Sequence, residues 1–444
     1  MRKKLILIYI IICVACAATA QDADRRAGEM INGSRYFELE RMMRTPEASQ
    51  MSPFMRRLAS HSSLSMAFLM GRDLASSGKY AEAAKFMDDM AAQIRALAVQ
   101  NQAADTSLLK SITTEAGIYR AYAVEAPLCR QLHKPGTYSA SFYIDERLHG
   151  YRRGGFLTVT GSVNGRPTAI AIDTGAGVNI VPPEEAERLG LRYIDAGMKM
   201  MGLGMQTGRI AIADTLRIGR NMAWANVPFV VVDIRTGNSE ADRVMERGCP
   251  LTIGVPMLNA MKEMQIDCGK RVITVPEKPT PRNADEPNMM MKDSRNMTVR
   301  IEDGEGKPLF MLFDTGDYYT SMNSRWYMAH EDEVKAKGKA DSLRMAGVGG
   351  VEMQHSYILP SISLKVGGAT VEMDSVNVET GIDLHTGEMI AAGSSSVGSN
   401  EQAEDGCIGL NIINHFGKIT INMPDMYLRC EEPGKGYRRE WLFE

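Results

Sequence analysis

The chain has 444 residues, of which 44% are hydrophobic, so it can bury a proper core and has room for about two to four domains. Its 51 basic and 54 acidic residues nearly balance, which leaves no global field that would favour nucleic acid. None of the seven histidines lies in an HExxH or CxxC-type pattern, so we expect neither a metal nor another cofactor.

Residues 1–20 are typical of a secretory signal peptide, with a basic segment at 2–4, an apolar segment at 5–14 and small residues at 18–20. A lipoprotein signal that uses Cys16 is the competing interpretation, but Cys13 stands where that pattern has leucine. We therefore expect export to the periplasm or out of the cell, with anchoring through Cys16 less favoured. No later stretch reaches about 18 uncharged apolar residues, so we do not expect the mature protein to span a membrane.

Residues 21–137 predict an α-helical domain. A helix-breaking turn at 76–79 precedes Tyr80, where apolar residues begin to recur at i, i+3, i+4 and i+7. One such turn resembles a tetratricopeptide unit, but a solenoid needs about three repeats, so a bundle or helical hairpin is favoured. The domain is a candidate surface for a protein partner. The sharper alternative is a propeptide that is removed by a cut at Arg152-Arg153.

From residue 138 the pattern becomes mainly β. Apolar runs at 156–163 and 168–172 flank Asn164-Gly165, which is a strong signal for a two-residue hairpin. Runs at 297–301 and 309–313 flank a longer loop at 303–306 in the same way. Residues 277–296 lie between these two halves and read as an exposed linker that opens with Pro and charged residues.

The tripeptide Asp-Thr-Gly occurs twice in the same frame, at Asp173-Thr174-Gly175 and Asp314-Thr315-Gly316. A proline lies six residues before each Asp, and an apolar run leads up to it. One copy is a weak signal, but two copies in register predict duplicated lobes at 138–276 and 297–432, followed by a tail at 433–444. Two carboxylates at tight turns are what a dyad that activates water requires.

Further landmarks repeat in order after each Asp. A Gly-rich turn follows at 201–205 and at 345–350. Ile253-Gly254 and Ile408-Gly409 come next, and an isoleucine lies twelve residues after each glycine, at 266 and 421.

These landmarks resemble the retropepsin/pepsin family of aspartic proteases over nearly all of residues 139–430. The resemblance implies a mainly β fold of two retropepsin-like barrel lobes in a pepsin-like bilobal unit, here preceded by the α-helical domain. It implies that Asp173 and Asp314 are catalytic, that Thr174 and Thr315 cross-bond between the lobes, and that the two Ile-Gly elements close the ψ-loops. A peptide or protein substrate would then bind as an added strand. The implied flap tips are Gly202, Gly204, Gly347 and Gly349.

Asp317 departs from this family pattern, which has Ala, Ser or Thr after the second Gly. An ionised carboxylate can only accept hydrogen bonds, and it adds a third negative charge beside the dyad. We expect Asp317 to face solvent and treat it as a modulator of the dyad. The alternatives are a protonated Asp317, a dyad with raised pKa values, or a catalytically impaired protein that binds extended peptide or a protein partner.

The cysteine pattern leaves two interpretations open. Five cysteines follow residue 20, at 129, 249, 268, 407 and 430. The first interpretation predicts a disulfide in each lobe, 249 with 268 and 407 with 430, and the second predicts buried free thiols.

Overall fold

The computed structural model of the protein describes most of residues 74–434 and little of what precedes them. The described residues are 22–27, 42–43, 45–51, 56, 74–75, 78–101, 106–144, 147–149, 152–201, 205–235, 239, 242, 251–281, 287–292, 296–347, 350–390 and 404–434. The chain divides into two units, residues 1–72 and residues 73–444. In the first unit, residues 22–27 are helical and Pro46–Gln50 form a 3-10 helix. None of the helices in these ranges is long and apolar enough to cross a membrane.

A helical hairpin opens the second unit. Helices α1 (Tyr80–Asn101) and α2 (Thr106–Glu125) are rich in alanine and other strong helix formers. Gly78 takes the left-handed turn before α1 (φ 79°), so the predicted break between residues 76 and 79 is confirmed. Met87 and Ile112 are fully buried between the helices, and Arg120 pairs with Asp88 at 2.6 Å across them.

The first lobe is built mainly from strands, with two short helices. One of its hairpins turns at Asn164 and Gly165, which have φ of 50° and 77°, as a type I′ turn requires. Its elements are β1 (Arg130–Gln131), β2 (Tyr138–Ile144), β3 (Arg147–His149), β4 (Arg152–Gly154), β5 (Leu157–Val163), β6 (Arg166–Ile172), β7 (Ile180–Val181), α3 (Pro183–Leu189), β8 (Arg192–Met201), β9 (Met205–Ile218), β10 (Met222–Val231), β11 (Thr252–Ile253), α4 (Val255–Met261), β12 (Glu263–Asp267) and β13 (Val272–Val275).

The second lobe repeats this order. The hairpin around residues 303–306 has the predicted longer loop, which Asp303 closes by accepting hydrogen bonds from the amides of Glu305 and Lys307. Its elements are β14 (Met289–Lys292), β15 (Asn296–Asp303), β16 (Pro308–Phe313), β17 (Ser321–Met322), α5 (Ser324–Ala329), α6 (Glu331–Lys337), β18 (Lys339–Gly347), β19 (Gly350–Val366), β20 (Ala369–Asp383), β21 (Gly406–Ile408), α7 (Leu410–Ile413), β22 (Lys418–Asn422) and β23 (Tyr427–Glu431).

Each lobe closes into a barrel of the same connectivity. In the first lobe the neighbours run β5-β6-β11-β7-β10-β9, and β9 pairs back with β5. In the second they run β15-β16-β21-β17-β20-β19, and β19 pairs back with β15. Closure removes the exposed edges that an open sheet would present. The mainly β, two-lobed fold that the duplicated landmarks predicted is confirmed.

A shared sheet joins the two barrels. Strand β12 of the first lobe pairs antiparallel with β22 of the second, with Gln265 opposite Thr420 at the centre. Ile266 and Ile421, the twelfth residues after the two repeated glycines, lie on these paired strands and are fully buried. Pairing between equivalent strands fixes the lobes in register, which is what a site made from both requires.

The structure differs from the sequence interpretation in the linker. Met289–Lys292, inside the segment predicted to be an exposed linker, is strand β14 and pairs with β15. Met289 is fully buried, so the apolar run there outweighs the charged residues around it.

Of the two interpretations of the cysteine pattern, the structure supports buried free thiols at 268, 407 and 430 and contradicts a bridge between Cys407 and Cys430. These two residues lie on strands of different sheets. Cys249 and residues 1–20 lie outside the described residues.

Candidate active site

The two Asp-Thr-Gly turns begin where buried strands end. Ile172 and Phe313 are the last residues of β6 and β16 and are at most 1% exposed. Burying one such side chain stabilises the fold by about 1.5–3 kcal/mol, so each acts as an anchor for the aspartate that follows. The next amides, of Asp173 and Asp314, each donate to a carbonyl of the ψ-loop strand at 3.0 Å, that of Ile253 or Ile408.

Backbone amides orient each carboxylate. In the first lobe, Oδ1 of Asp173 accepts from the amides of Gly175 at 2.8 Å and Ala176 at 2.9 Å. In the second, Oδ1 of Asp314 accepts from the amides of Gly316 at 2.7 Å and Asp317 at 3.3 Å. In each lobe the amides of the turn therefore hold the carboxyl group through Oδ1 and not through Oδ2.

The two carboxyl groups lie against each other across the lobe interface. A Cβ placed on Gly175 would overlap the carboxyl group of Asp314, and one placed on Gly316 would overlap that of Asp173. Only glycine can occupy these positions. Burial raises the pKa of Asp173 well above its usual range, and the charge of Asp314 and a hydrogen bond to it raise that pKa further.

The two threonines lock the turns together. Oγ1 of Thr174 accepts from the Thr315 amide at 3.0 Å and donates to the Phe313 carbonyl at 2.6 Å. Thr315 mirrors it, since its Oγ1 accepts from the Thr174 amide at 3.1 Å and donates to the Ile172 carbonyl at 2.8 Å. Both side chains are at most 1% exposed, so these bonds have no competition from water. This is the cross-bonding that the family resemblance implied.

The segments predicted to form flaps lie next to two hairpins. The first hairpin joins β8 to β9 with Met201 opposite Met205, and the second joins β18 to β19 with Gly347 opposite Gly350. Gly202, Gly204 and Gly349 fall outside the described residues.

Asp317 is the feature that breaks the symmetry of the site. The residue is exposed to solvent, whereas its counterpart Ala176 is 8% exposed. Its Oδ1 accepts from the Tyr319 amide at 3.2 Å, and the thiol of Cys407 donates to the same carboxylate. Although water reaches the side chain, the dense protein around it raises the pKa of Asp317 to about 7, and the charge of Asp314 adds to this effect.

Two residues beside Asp317 were missed by the sequence reasoning. Cys407 is the counterpart of Thr252 in the first lobe. Thr252 precedes Ile253, which pairs with Ile172 just before Asp173, and Cys407 precedes Ile408, which pairs with Phe313 just before Asp314. By the same pairing Glu379 corresponds to Val232. Glu379 is 5% exposed and accepts from Ser321 Oγ at 3.0 Å and Gln354 Nε2 at 3.1 Å. Aligning the two halves around Asp-Thr-Gly could have found Cys407.

Among the residues that the structure describes, no group of three or more histidine, cysteine, aspartate or glutamate side chains is arranged to hold an ion.

Comparisons with known proteins agree with this geometry. Residues 159–253, which include Asp173 and the first ψ-loop strand, match the aspartyl protease family. No curated protein matches the chain. Among solved structures it is similar to basic 7S globulin from soybean, with 10% sequence identity, a TM-score of 0.41, and coverage of 70% of this chain and 100% of that one. The resemblance to retropepsin/pepsin-like aspartic proteases rests on the family match and on the site.

Proposed function

We propose that this chain, whose first lobe matches the aspartyl protease family, is an aspartic endopeptidase with Asp173 and Asp314 as its catalytic dyad. The observation that carries the proposal is the contact between the two carboxyl groups, each held by its own Asp-Thr-Gly turn and by the threonine cross-bonds. Carboxyl groups this close cannot both ionise, so the pair holds one proton between them.

The arrangement supports hydrolysis through an activated water. The ionised carboxylate removes a proton from water as the water oxygen attacks the scissile carbonyl, and the protonated carboxyl donates its proton to the carbonyl oxygen. Collapse of the resulting diol breaks the C–N bond: the carboxyl that took the proton from water gives it to the leaving amine, and the other, now ionised, takes a proton from a diol hydroxyl. Because the two turns are nearly symmetric and the titrations are linked, acid and base belong to the pair and not to one residue each.

The substrate we propose is an extended stretch of peptide or protein. The hairpins β8–β9 and β18–β19 extend from the two barrels that carry the dyad. An extended segment can hydrogen-bond to such hairpins through its main chain, which gives affinity with little dependence on sequence.

Two further proposals concern the setting of this activity. We propose that residues 1–20 direct export, so that the enzyme works outside the cytoplasm, and that the helical hairpin receives a protein partner. Support for a partner surface comes from Val124 near the end of α2, which is 83% exposed. Helix α2 is also tied to the first lobe, because Arg192 of β8 donates to both oxygens of Glu125 at 3.0 and 2.7 Å.

The test is cleavage of a diverse mixture of peptides by the purified protein and by Asp173→Asn, from about pH 3 to 8, a span that brackets the usual dyad range. Asparagine keeps the Oδ1 that accepts from Gly175 and Ala176, so the fold should survive. We expect cleavage at defined bonds by the parent protein alone, detected by mass spectrometry. Equal cleavage by both proteins would contradict the proposal.

The second candidate function is peptide binding without cleavage. The observation in its favour is Asp317, which brings a third carboxyl group to the dyad where the aspartic proteases have Ala, Ser or Thr. Binding of peptides with no product at any pH would select it.

A further inference from the structure

We propose that Asp317 is a specificity determinant that takes a basic side chain of the substrate, lysine or arginine, on one side of the scissile bond. The inference rests on the proposed peptide-binding cleft and deepens it, since it names the class of residue that the cleft prefers.

Asp317 is held beside the aspartates of the proposed dyad. It lies three residues after Asp314, on the same turn, and its amide donates to Oδ1 of Asp314 at 3.3 Å. The Tyr319 amide donates to Oδ1 of Asp317 at 3.2 Å and so holds the side chain in place. Because Asp317 is exposed to solvent, a peptide that binds over the two aspartates can reach its carboxylate.

No positive charge among the described residues compensates the negative charge of Asp317. Its hydrogen-bond donors are a backbone amide and the Cys407 thiol, both neutral. The side-chain charges that act on it, from Asp314 and Glu379, are negative, and no cationic side chain among the residues described here forms an ion pair with it. A negative group surrounded by negative groups favours a cation, because an ion pair relieves the repulsion as well as adding its own attraction.

The preference for a basic residue should apply to only one side of the scissile bond. The first lobe presents Ala176 at the equivalent position, 8% exposed and without charge. An extended peptide that crosses the interface meets one turn on each side of the scissile bond. We therefore expect a basic residue to be favoured within about two positions of that bond on the side that faces the second lobe, and not on the other.

A purely structural role is the competing explanation, in which Asp317 only holds the turn at Tyr319. Asp317→Asn separates the two roles. Asparagine keeps an oxygen acceptor for the Tyr319 amide and removes the charge, so a structural role predicts little change in ligand preference.

The experiment uses peptides with blocked termini and a hydroxyethylene isostere in place of the scissile amide, which cannot be cleaved. Each carries lysine or norleucine at one of the positions flanking the isostere. Binding is measured by calorimetry at about pH 8, above the pKa of Asp317, for the parent protein, Asp317→Asn and Glu305→Gln. Glu305 is the matched control, a carboxylate 74% exposed in the β15–β16 loop and paired with Lys307.

The parent protein should bind the lysine peptide at least about fivefold more tightly than the norleucine peptide at one flanking position, as expected for a charge-assisted contact in a partly enclosed site. Asp317→Asn should bring the ratio to about one, and Glu305→Gln should leave it unchanged. Equal affinities in the parent protein, or a preference that persists in Asp317→Asn, would overturn the inference.

A parallel set of cleavable peptides separates this inference from the proposed activity. Selective binding without cleavage would refute the endopeptidase and uphold the role of Asp317. Cleavage without a preference for lysine would do the reverse. If no peptide binds, both are wrong.

Discussion

The two lobes share a backbone plan and differ in what lies behind the aspartate. In the first lobe Ala176, Thr252 and Val232 surround the turn, and two of these carry no polar side chain. In the second lobe their counterparts are Asp317, Cys407 and Glu379, linked to neighbours by hydrogen bonds. The hydrogen bonds that hold the two aspartates in place are symmetric, whereas the side chains that surround them are not. The two lobes therefore share one geometry at the aspartates and differ in the charge around them.

The lobes also differ in their outer supports. Strand β8 of the first lobe is tied to α2 by the ion pair between Arg192 and Glu125, and β1 adds a strand beside β10. Helices α5 and α6 pack instead against β20 and β19 of the second lobe.

The largest expected effect comes from replacing either aspartate of the proposed dyad. Asp314→Asn should lower kcat/KM on any cleaved peptide by at least about 10³-fold, because it removes a group that transfers a proton. Asp173→Asn should do the same, which would show that neither lobe is dispensable. Circular dichroism and the urea midpoint should stay close to those of the parent protein, and a clear loss of structure would make the kinetic result uninformative for that variant, leaving the other variant to decide.

The turn glycines should show the next largest effect. A Cβ on Gly175 would overlap the carboxyl group of Asp314, so Gly175→Ala must push the dyad apart. We expect a loss of about 10²-fold in kcat, since misplacement by about 1 Å has that consequence. Gly316→Ala should match it. Gly165→Ala is not a fair control because of its positive φ, so Gly117→Ala, where a Cβ meets open space, serves instead. Full activity in Gly175→Ala would contradict the observed contact.

Loss of a threonine cross-bond should lower the free energy of unfolding. Thr174→Val leaves the Thr315 amide and the Phe313 carbonyl buried without their partner, which costs about 2–4 kcal/mol of unfolding free energy. Thr315→Val should cost a similar amount if the lobes are equivalent here. Denaturation in urea measures both, with Thr370→Val on an exposed position of β20 as the control. A fall in one variant alone would mean that only one lobe depends on the cross-bond.

The smallest effect should come from the asymmetric part and depend on pH. The pKa of Asp317 is raised from 3.8 to about 7, so the folded protein holds a proton that the unfolded chain releases between these values. Its contribution to stability therefore falls as pH rises from about 4 to 7. Asp317→Asn should raise the urea midpoint slightly at pH 8 and leave it unchanged at pH 4. The gain is small because the side chain is exposed. A variant less stable than the parent protein at pH 8 would reverse the sign of this argument.

The features that the two lobes share were predictable from the sequence, whereas of the features that differ between them only Asp317 was. Asn164-Gly165, the two Asp-Thr-Gly turns and the two Ile-Gly elements are local signals whose spacing repeats, so their register predicted both barrels. The exposure of Asp317 follows from its place on the turn and was expected. Its contact with Cys407 depends on a parallel pairing between strands about 90 residues apart in the chain, which no local pattern reports.

Packing also overrode local composition. The segment Met289–Lys292 has Pro and charged residues around it that indicate a linker, yet it forms a strand that pairs with β15, and Met289 is fully buried there. The cysteine spacing suggested a bridge in the second lobe, but β21 and β23 belong to different sheets. Spacing in sequence does not fix whether two side chains meet.

The most direct test of a dyad shared by two lobes compares Asp173→Asn, Asp314→Asn and the double variant on one peptide that the parent protein cleaves. Groups that act as a unit are strongly non-additive, so we expect all three variants to fall to the same residual rate, with the double variant no worse than either single one. A single variant that keeps activity within about tenfold of the parent protein, or losses that multiply in the double variant, would contradict a joint site.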